Sequence, residues 1–364
     1  MKKQKILHVL GGLDHGGAEA FIMNALRFIN RSKYEFGIAT FMQPKNGEKF
    51  DFEDELKAMG VKLYHVADNR FKNPLKFEND IAKLVKENGY TTVHSHIDFM
   101  SALVLAGAKK GGATKRIAHS HSVNNMKINS KKMQLISGVL RRKLNRVATE
   151  RIACGEDAGK FLFGPKQRFT VIHNGVDLER FRFNANTRHK MRVKCGFDDD
   201  EMILLNIGRL EEVKNHGKVI DIFGDYLRKN KKAHLIIIGN GSLKEMIEEK
   251  IASERLGDYV TLIPAQDKVE LYYMMADVFV MPSLFEGIPN VGVEAQACGM
   301  KCLFSDKVPR EVKILDSTEF IPLNGDWLGS IKRAENRNAA VKQPGVKAFD
   351  IKETVKALEA VYDK

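Results

Sequence analysis

The sequence contains few cysteines and prolines and has no long apolar run at its start. Its four cysteines, among 364 residues, include no C-x2-C pair, which argues against a structural zinc site and against a disulfide framework. Only 9 prolines accompany 43% hydrophobic residues, a composition typical of globular proteins. The apolar run 6–10 is too short for a signal peptide or a transmembrane helix. We therefore expect a globular protein of the reduced cytosolic compartment.

Positive charge is concentrated in one half of the chain. The net charge is +13 at pH 7, and residues 1–173 carry +14 whereas the remaining residues carry −1. Such an asymmetry indicates that the first half meets an anionic surface, either phospholipid or nucleic acid. The alternative is uneven solvation with no partner.

The most basic continuous segment is 124–151, in which Glu150 is the single acid. Its cations are Lys127, Lys131, Lys132, Arg141, Arg142, Lys143, Arg146 and Arg151. Aliphatic residues interleave with them at near-helical spacing, which predicts a basic amphipathic helix lying on an anionic membrane. Nucleic acid is a weaker interpretation, because the segment has no aromatic side chain for base stacking. A core-packed helix with a solvated basic face is the remaining alternative.

Segments with strand-like and helix-like patterns alternate along the chain in two series. The predicted strands are 6–10, 35–42, 61–66, 92–95 and 116–120 in the first series, and 202–207, 235–238, 260–263, 278–281, 301–305 and 320–322 in the second. Alternation at this rhythm predicts parallel, doubly wound sheets. The stretch 170–177 between the series reads as a linker, and 349–362 as an amphipathic helix. The fold class is therefore α/β, with two Rossmann-like domains.

Two carboxylates follow the buried strand predicted at 278–281. Glu286 is expected at the C-terminal end of that strand, and Glu294 lies about two turns away on the next helix. Ligands of open α/β sheets bind beyond the C-terminal ends of the strands. These two carboxylates can therefore accept hydrogen bonds from paired hydroxyls, such as those of a sugar and a ribose. The amides of the loop from Gly287 to Asn290 suit a diphosphate. Two surface glutamates on an ordinary βα unit are the alternative.

Two other loops carry candidate phosphate-binding groups. Gly16 and Gly17 follow the first strand, where glycine lets backbone amides approach a phosphate closely, although tight βα turns also need glycine for structural reasons. The glycines of this loop form two doublets, Gly11–Gly12 and Gly16–Gly17, which is not the G-x-G-x-x-G dinucleotide fingerprint. Arg209 and Lys214 lie five residues apart in the loop after the first strand of the second series. Their charges can offset those of a nucleotide diphosphate.

Two histidines, His119 and His121, end the strand predicted at 116–120. Alternate residues of a strand point to the same face, so both can reach the ligand-binding edge of the sheet. His121 lies farther into the loop and is the better candidate for contact with a substrate. A structural role remains the alternative for either histidine.

These motifs, in this order, resemble those of the retaining glycosyltransferases of the GT-B fold, family 4. The matching elements are Gly-Gly-x3-Gly-Gly-Ala-Glu, His-x-His, Gly-Arg-x4-Lys and E-x7-E, and they span nearly the whole chain. The resemblance implies an acceptor-side domain over 1–172 and a donor-binding domain over 173–348, facing a central cleft. It also implies that 349–364 packs back on the first domain. The versions of these motifs are most similar to members that build capsule or exopolysaccharide.

The resemblance assigns roles to individual residues. His121, Glu286, Arg209 and Lys214 form the implied catalytic set, with the two cations stabilising charge on the departing UDP. The implied donor contacts are Gly16, Gly17, His119, Gly287, Asn290, Val291 and Glu294. No metal ion and no other cofactor is implied, because such enzymes hold the diphosphate with Arg, Lys and helix dipoles. Asn290 departs from the aliphatic residue common in the family, which leaves the donor sugar open.

The expected function is transfer of a sugar from a nucleotide donor, UDP-linked by expectation, to a glycan or polyprenyl-diphosphate-linked acceptor. The anomeric configuration is expected to be retained, and the enzyme to act at the inner face of the membrane without nucleic acid. A UDP-sugar epimerase of similar fold and a non-catalytic nucleotide-sugar-binding protein are the alternatives. An epimerase would release a modified sugar nucleotide without any acceptor, and a binding protein would release no product.

Overall fold

The structure is a computed structural model that describes residues 3–14, 16–44, 49–122, 131–332 and 344–364. The chain divides into two compact units. The first comprises Met1–Gly175 with Ile351–Lys364, and the second comprises Val176–Asp350. The boundaries expected from the sequence, after residues 172 and 348, fall within three residues of these.

The first unit is built on a parallel sheet of seven strands, ordered β3-β2-β1-β4-β5-β6-β7. The strands are β1 (Gln4–Val9), β2 (Tyr34–Thr40), β3 (Lys62–His65), β4 (Thr92–Ser95), β5 (Lys115–Ser120), β6 (Glu150–Ala153) and β7 (Thr170–Val171). The helices are α1 (Gly17–Phe28), α2 (Glu53–Ala58), α3 (Pro74–Asn88), α4 (Ser101–Lys110), α5 (Lys131–Val147), α6 (Glu156–Phe163) and, from the far end of the chain, α13 (Ile351–Asp363). Every described strand pairing in this sheet is parallel, as strand–helix alternation dictates.

The second unit repeats this arrangement with six parallel strands, ordered β10-β9-β8-β11-β12-β13. The strands are β8 (Met202–Ile207), β9 (Ala233–Ile238), β10 (Val260–Ile263), β11 (Val278–Met281), β12 (Lys301–Ser305) and β13 (Glu319–Ile321). The helices are α7 (Ala185–Cys195), α8 (His216–Leu227), α9 (Lys244–Ser253), α10 (Glu270–Met275), α11 (Asn290–Ala297) and α12 (Trp327–Lys332). The strand order matches that of the first six strands in the first unit, so both units are doubly wound. The fold class predicted from the sequence is confirmed.

The core of the first unit is completed by α13. One apolar face of this helix, formed by Ile351, Val355, Leu358, Val361 and Tyr362, joins the same buried cluster as α1 and β1. The ammonium of Lys115 donates to the carbonyls of Val361 at 2.9 Å and of Tyr362 at 2.5 Å, which satisfies the orphan carbonyls at the end of the helix. The helix is thus part of the first unit, although the second unit separates it in sequence.

Most strands lie where hydrophobic pattern predicts them, but some elements were missed. The two-residue β7 lies inside the stretch that reads as a linker, and Arg151 belongs to β6 rather than to the preceding helix. The polar helix α7 is held by Arg192, a fully buried side chain that pairs with Asp277 at 2.6 Å. Among the described residues, no helix combines the length and the apolar composition needed to cross a bilayer.

Candidate active site

Each sheet has a point at which the winding direction changes, and the candidate residues follow the strands at these points. In the first unit the change lies between β1 and β4, and in the second between β8 and β11. Ligands of doubly wound folds bind at the strand C-termini beside such a switch point.

A mostly shielded ion pair spans the switch point of the second unit. Lys214 ends a short 3-10 turn in the loop after β8, and Glu286 lies in the loop after β11. The Lys214 Nζ is 2.6 Å from the Glu286 Oε1, and the two side chains are only 15% and 10% exposed. A pair so shielded from water is held in one geometry and interacts more strongly than a surface pair.

Hydrogen bonds fix the two loops that carry this pair. The Leu284 amide donates to the Val213 carbonyl at 2.8 Å, and the Asn215 Nδ2 donates to the Pro282 carbonyl at 3.1 Å. Asn215 itself has a φ of 55°, a left-handed conformation that Asn tolerates better than most residues. Lys214 and Glu286, 72 positions apart in sequence, are therefore brought together by the backbone of both loops.

Arg209 lies in the same loop as Lys214 but has a different environment. Its side chain is 50% exposed, and its Nη1 lies 2.8 Å from the Oε1 of Glu211. The structure thus places one predicted cation inside the switch-point pair and leaves the other at the surface of the loop.

Glu294, the second acid of the E-x7-E motif, lies on α11 and contacts Tyr273 of α10. The Tyr273 hydroxyl is 2.9 Å from the Glu294 Oε2 and 3.1 Å from the Val291 carbonyl. Burial raises the pKa of Glu294, and the Tyr273 hydrogen bond opposes that rise. Tyr273 is fully buried and was not predicted, because nothing in the local pattern distinguishes it from a core tyrosine.

The remaining predicted donor contacts of the second unit surround the start of α11. Asn290 is its first residue and Val291 the second, after Pro289 at the N-cap and the loop that contains Gly287. The Gly292 amide in this turn donates to the Pro289 carbonyl at 3.0 Å, and the Val291 amide, at the second helical position, can bind an anion. A Cβ at Gly292 would meet the Phe304 ring at 2.9 Å, which explains the glycine in this turn.

Gly16 and Gly17 occupy the start of α1 in the first unit. Gly16 is the N-cap, in extended conformation, and a Cβ there would collide with the Glu19 carboxylate. A Cβ at Gly17 would meet nothing within 4 Å. A side chain at the first glycine would thus displace the Glu19 carboxylate, whereas the second glycine leaves space above the turn.

The C-terminal ends of β1, β4 and β5 bring five histidines together. They are His8, His94, His96, His119 and His121, a set that we call the histidine cluster. The His8 Nδ1 lies 3.0 Å from the His96 Nε2, and the His96 Nδ1 lies 2.8 Å from the His121 Nε2. The His94 Nε2 lies 3.2 Å from the His119 Nδ1, and its other nitrogen 2.9 Å from the Tyr362 hydroxyl.

The histidine cluster is mostly buried, and its imidazoles are neutral at neutral pH. Burial lowers the pKa of His8 and of His121 to about 3, and it lowers the pKa of the other three well below the ordinary value. Two ring nitrogens, the His119 Nε2 and the His121 Nδ1, are buried with no hydrogen-bond partner among the described residues. The sequence interpretation found His119 and His121 but missed the other three. The tripeptide His-Ser-His, repeated at 94–96 and 119–121 on paired strands, was the available signal.

Asp98 follows β4 and was also missed. It has a φ of 47°, a strained conformation for a residue other than glycine, and its carboxylate accepts from the Ser122 hydroxyl at 3.1 Å. Burial raises the pKa of Asp98 to about 6 despite that hydrogen bond. A strained, partly buried carboxyl two residues after His96 marks this edge of the first sheet as a functional candidate.

Only some of the cations in the basic segment 124–151 lie on an exposed helix face, although its composition suggests that most of them would. Arg141 donates to the carbonyls of Phe161 at 2.8 Å and Leu162 at 3.2 Å, and Lys143 pairs with the buried Glu78. These cations hold α5 to its neighbours. Residue Lys127 lies outside the described residues. The exposed face of α5 instead carries Leu135, Val139, Arg142 and Arg146, at spacings of four, three and four residues.

Comparison with known proteins agrees with this architecture. The family model "Glycosyltransferase Family 4" matches residues 15–180, and "Glycosyl transferases group 1" matches 187–329. EpsF of Bacillus subtilis (strain 168), named as a glycosyltransferase, is 34% identical over 317 residues, which cover 85% of this chain and 81% of EpsF. The chain belongs to the family 4 glycosyltransferases. The predicted family is therefore confirmed.

Two further proteins are similar to this glycosyltransferase along its length. CapH of Staphylococcus aureus, named as a capsular polysaccharide biosynthesis glycosyltransferase, is 25% identical over 372 residues, 98% of each chain. The crystal structure of Anabaena Alr3699/HepE in complex with UDP and glucose has a TM-score of 0.80 at 15% identity, covering 99% of both chains. At that identity the structural match establishes the GT-B fold of the glycosyltransferase and no more.

Proposed function

We propose that this glycosyltransferase transfers a sugar from a UDP-linked donor to a glycan or polyprenyl-diphosphate-linked acceptor, with retention of the anomeric configuration, in capsule or exopolysaccharide synthesis. The observation that carries the proposal is the shielded Lys214–Glu286 pair at the switch point, with Glu294 on the helix that follows. The complex of Alr3699/HepE with UDP and the name of CapH support the choice of donor and pathway.

In this proposal each side chain of the second unit has a distinct task. The Lys214 ammonium holds the diphosphate and stabilises the charge that develops on UDP as the glycosidic bond breaks. Arg209 lies in the same loop and leaves its surface contact with Glu211 to bind a phosphate oxygen. Glu286 accepts hydrogen bonds from hydroxyls of the donor sugar. No metal ion is needed, because the cations and the first turn of α11 bind the diphosphate.

The first unit is proposed to bind the acceptor and to supply His121 at the reacting bond, with His119 behind it. A neutral imidazole can accept a proton at one nitrogen or donate one from the other. It can therefore act beside the oxygen of the departing UDP or beside the attacking hydroxyl oxygen of the acceptor. Gly17 leaves space for a ligand above the start of α1.

The direct test is product analysis with UDP-sugars and an acceptor analogue. We expect UDP release only when the acceptor is present, and NMR is expected to show an α-linked product from an α-linked donor. A β-linked product would refute retention. A modified sugar nucleotide formed without acceptor would instead identify an epimerase, and binding without turnover would identify a non-catalytic protein.

The two acids of the E-x7-E motif are predicted to differ in what they bind. Glu294→Gln should weaken plain UDP as well as UDP-sugar by about 1.5–3 kcal/mol, because the Tyr273–Glu294 pair is proposed to hold the ribose. Glu286→Gln should weaken UDP-sugar and spare UDP. Isothermal titration calorimetry measures both, with the exposed Glu245→Gln on α9 as the matched control. Equal UDP affinity in the Glu294 variant and the parent would contradict the assignment.

We also propose that the exposed face of α5 rests on anionic lipid. Leu135 and Val139 are 71% and 57% exposed, and Arg142 and Arg146 continue the same face. Aliphatic and cationic side chains on one helical face suit insertion at a phospholipid headgroup layer. The surplus charge of residues 1–173 adds attraction that salt screens.

Replacing Arg142 and Arg146 by Gln should weaken binding to vesicles that contain anionic lipid. Each cation near such a surface contributes about 1 kcal/mol, so the double variant should bind roughly 30-fold more weakly. Arg141 and Lys143 are left intact because they hold α5 in place. The control removes the same charge from the second unit, with Lys229 and Lys231 replaced by Gln. Co-sedimentation that is equal for both variants, or equal with neutral vesicles, would refute the surface.

A further inference from the structure

Two His-x-His pairs stand side by side at the end of the first sheet. In a strand, residues two apart point to the same face, so each pair presents two imidazoles, and β4 and β5 are neighbours. The third contributor is His8 from β1, on the other side of β4. Five imidazoles therefore converge on one face of the sheet.

Two sets of three within the histidine cluster have the spacing of a metal site. In the outer set, one nitrogen from each of His96, His119 and His121 lies within 4.8 Å of the others. His8, His94 and His96 form the inner set, with the same spacing. Ligand nitrogens at a tetrahedral zinc ion, with bonds of about 2.0–2.1 Å, are roughly 3.3 Å apart. The His96 Nδ1 lies 2.8 Å from the His121 Nε2, a hydrogen bond that coordination of the His96 Nδ1 would replace.

The two sets differ in which nitrogens remain free. The outer set contains both buried nitrogens that have no partner among the described residues, the His119 Nε2 and the His121 Nδ1. An unpartnered buried nitrogen is costly unless a ligand satisfies it. His121 is also the most exposed member of the cluster. The inner set is enclosed, and one His94 nitrogen already meets Tyr362.

We propose that His96, His119 and His121 bind one divalent transition-metal ion, with zinc the best match, and that His8 and His94 orient the ligands. Three imidazoles with a fourth position left for water or another oxygen ligand are a zinc-binding set. If the His96 Nδ1 and the His119 Nε2 are the ligand atoms, their other nitrogens donate to His8 and His94. Such outer hydrogen bonds are what metal-binding histidines ordinarily make.

The test is metal binding to the full-length protein after treatment with a chelator and its removal. Zinc titrated by calorimetry is expected to bind at one ion per chain, and Co²⁺ to give the visible absorption of a four- or five-coordinate site. His96→Asn and His121→Asn should abolish both signals. His8→Asn should weaken binding by roughly 10–100-fold, the usual effect of an outer hydrogen-bond partner.

His65→Asn, which replaces an exposed histidine, is the matched control and should bind like the parent. Absence of zinc and Co²⁺ binding in the parent would overturn the proposal. Undiminished binding in a folded His121→Asn variant, verified by circular dichroism, would also overturn it, because the inner set or a surface site would then hold the ion. Neither measurement uses a sugar donor, so metal binding is read separately from the proposed sugar transfer, in which His119 and His121 also take part.

Discussion

Acidification from pH 7 to pH 5 is expected to unfold the first unit of the metal-free protein. Burial lowers the pKa of all five members of the histidine cluster, to about 3 for His8 and His121. In the unfolded chain an imidazole has a pKa near 6.5. Unfolding therefore takes up protons between about pH 6.5 and pH 3, and the stability present above pH 6.5 is lost as pH falls through this interval.

The size of this effect follows from the number of protons. Each proton taken up on unfolding changes the free energy of unfolding by about 1.4 kcal/mol per pH unit. Near pH 5 the five imidazoles take up about five protons, whereas Asp98, whose pKa burial raises to about 6, releases about one, so the net change is about 5–6 kcal/mol per pH unit. Domains are typically stable by about 5–15 kcal/mol in total. Chemical denaturation followed by circular dichroism at a series of pH values, in the presence of a chelator, measures the slope directly.

Matched histidine variants separate the cluster from the rest of the chain. His8→Asn should lower the proton uptake by about one, even where it also lowers stability, whereas the exposed His65→Asn should leave the slope unchanged. Equal stability at pH 7 and pH 5 in the parent would show that the histidine cluster is not held neutral.

Replacement of Lys214 by Met is expected to lower kcat roughly 100–1000-fold, the usual effect of removing one donor that stabilises transition-state charge. The effect is expected to be large because Lys214 is mostly shielded from water and held 2.6 Å from Glu286. Its loss removes the proposed diphosphate contact and leaves a shielded carboxylate without its cation. Steady-state kinetics with saturating UDP-sugar measures the change.

Lys232→Met provides the control for this substitution. Lys232 is exposed and immediately precedes β9, at the opposite end of the strands from the switch point. It should retain the parent kcat. A Lys214 variant that keeps its activity would refute the proposed role of the switch-point pair, and a variant that fails to bind UDP would place the loss at the binding step.

The sequence predicts the sheets well because buried strands have a local signature. The strands 92–95, 202–207, 260–263, 278–281 and 301–305 were predicted with the bounds that the structure has. Apolar runs bounded by turn residues determine such segments without reference to the rest of the chain. The short β7 and the polar helix α7 lack that signature, and their positions depend on contacts such as the Arg192–Asp277 pair.

The candidate site was predictable only as separate pieces. Lys214 and Glu286 were both found from their loops, yet their pairing depends on two strands becoming neighbours in the sheet. The same holds for His8 and His96, whose contact no local pattern specifies. Sequence distinguishes charged residues at strand ends, whereas burial and pairing follow from the strand order of the finished sheet.

The second unit closes on itself where the chain enters and leaves it. Val176, its first residue, donates its amide to the Phe349 carbonyl at 2.8 Å and forms a parallel bridge with Asp350. If the chain from Val176 to Asp350 were a flexible loop, bringing its ends together would cost about 4–5 kcal/mol of chain entropy. Once the second unit has folded, its two ends are already joined, so Ile351–Asp363 starts close to Gly175 rather than at the end of a long free segment. The first unit thus completes its core at a much smaller entropic cost than its discontinuous sequence suggests.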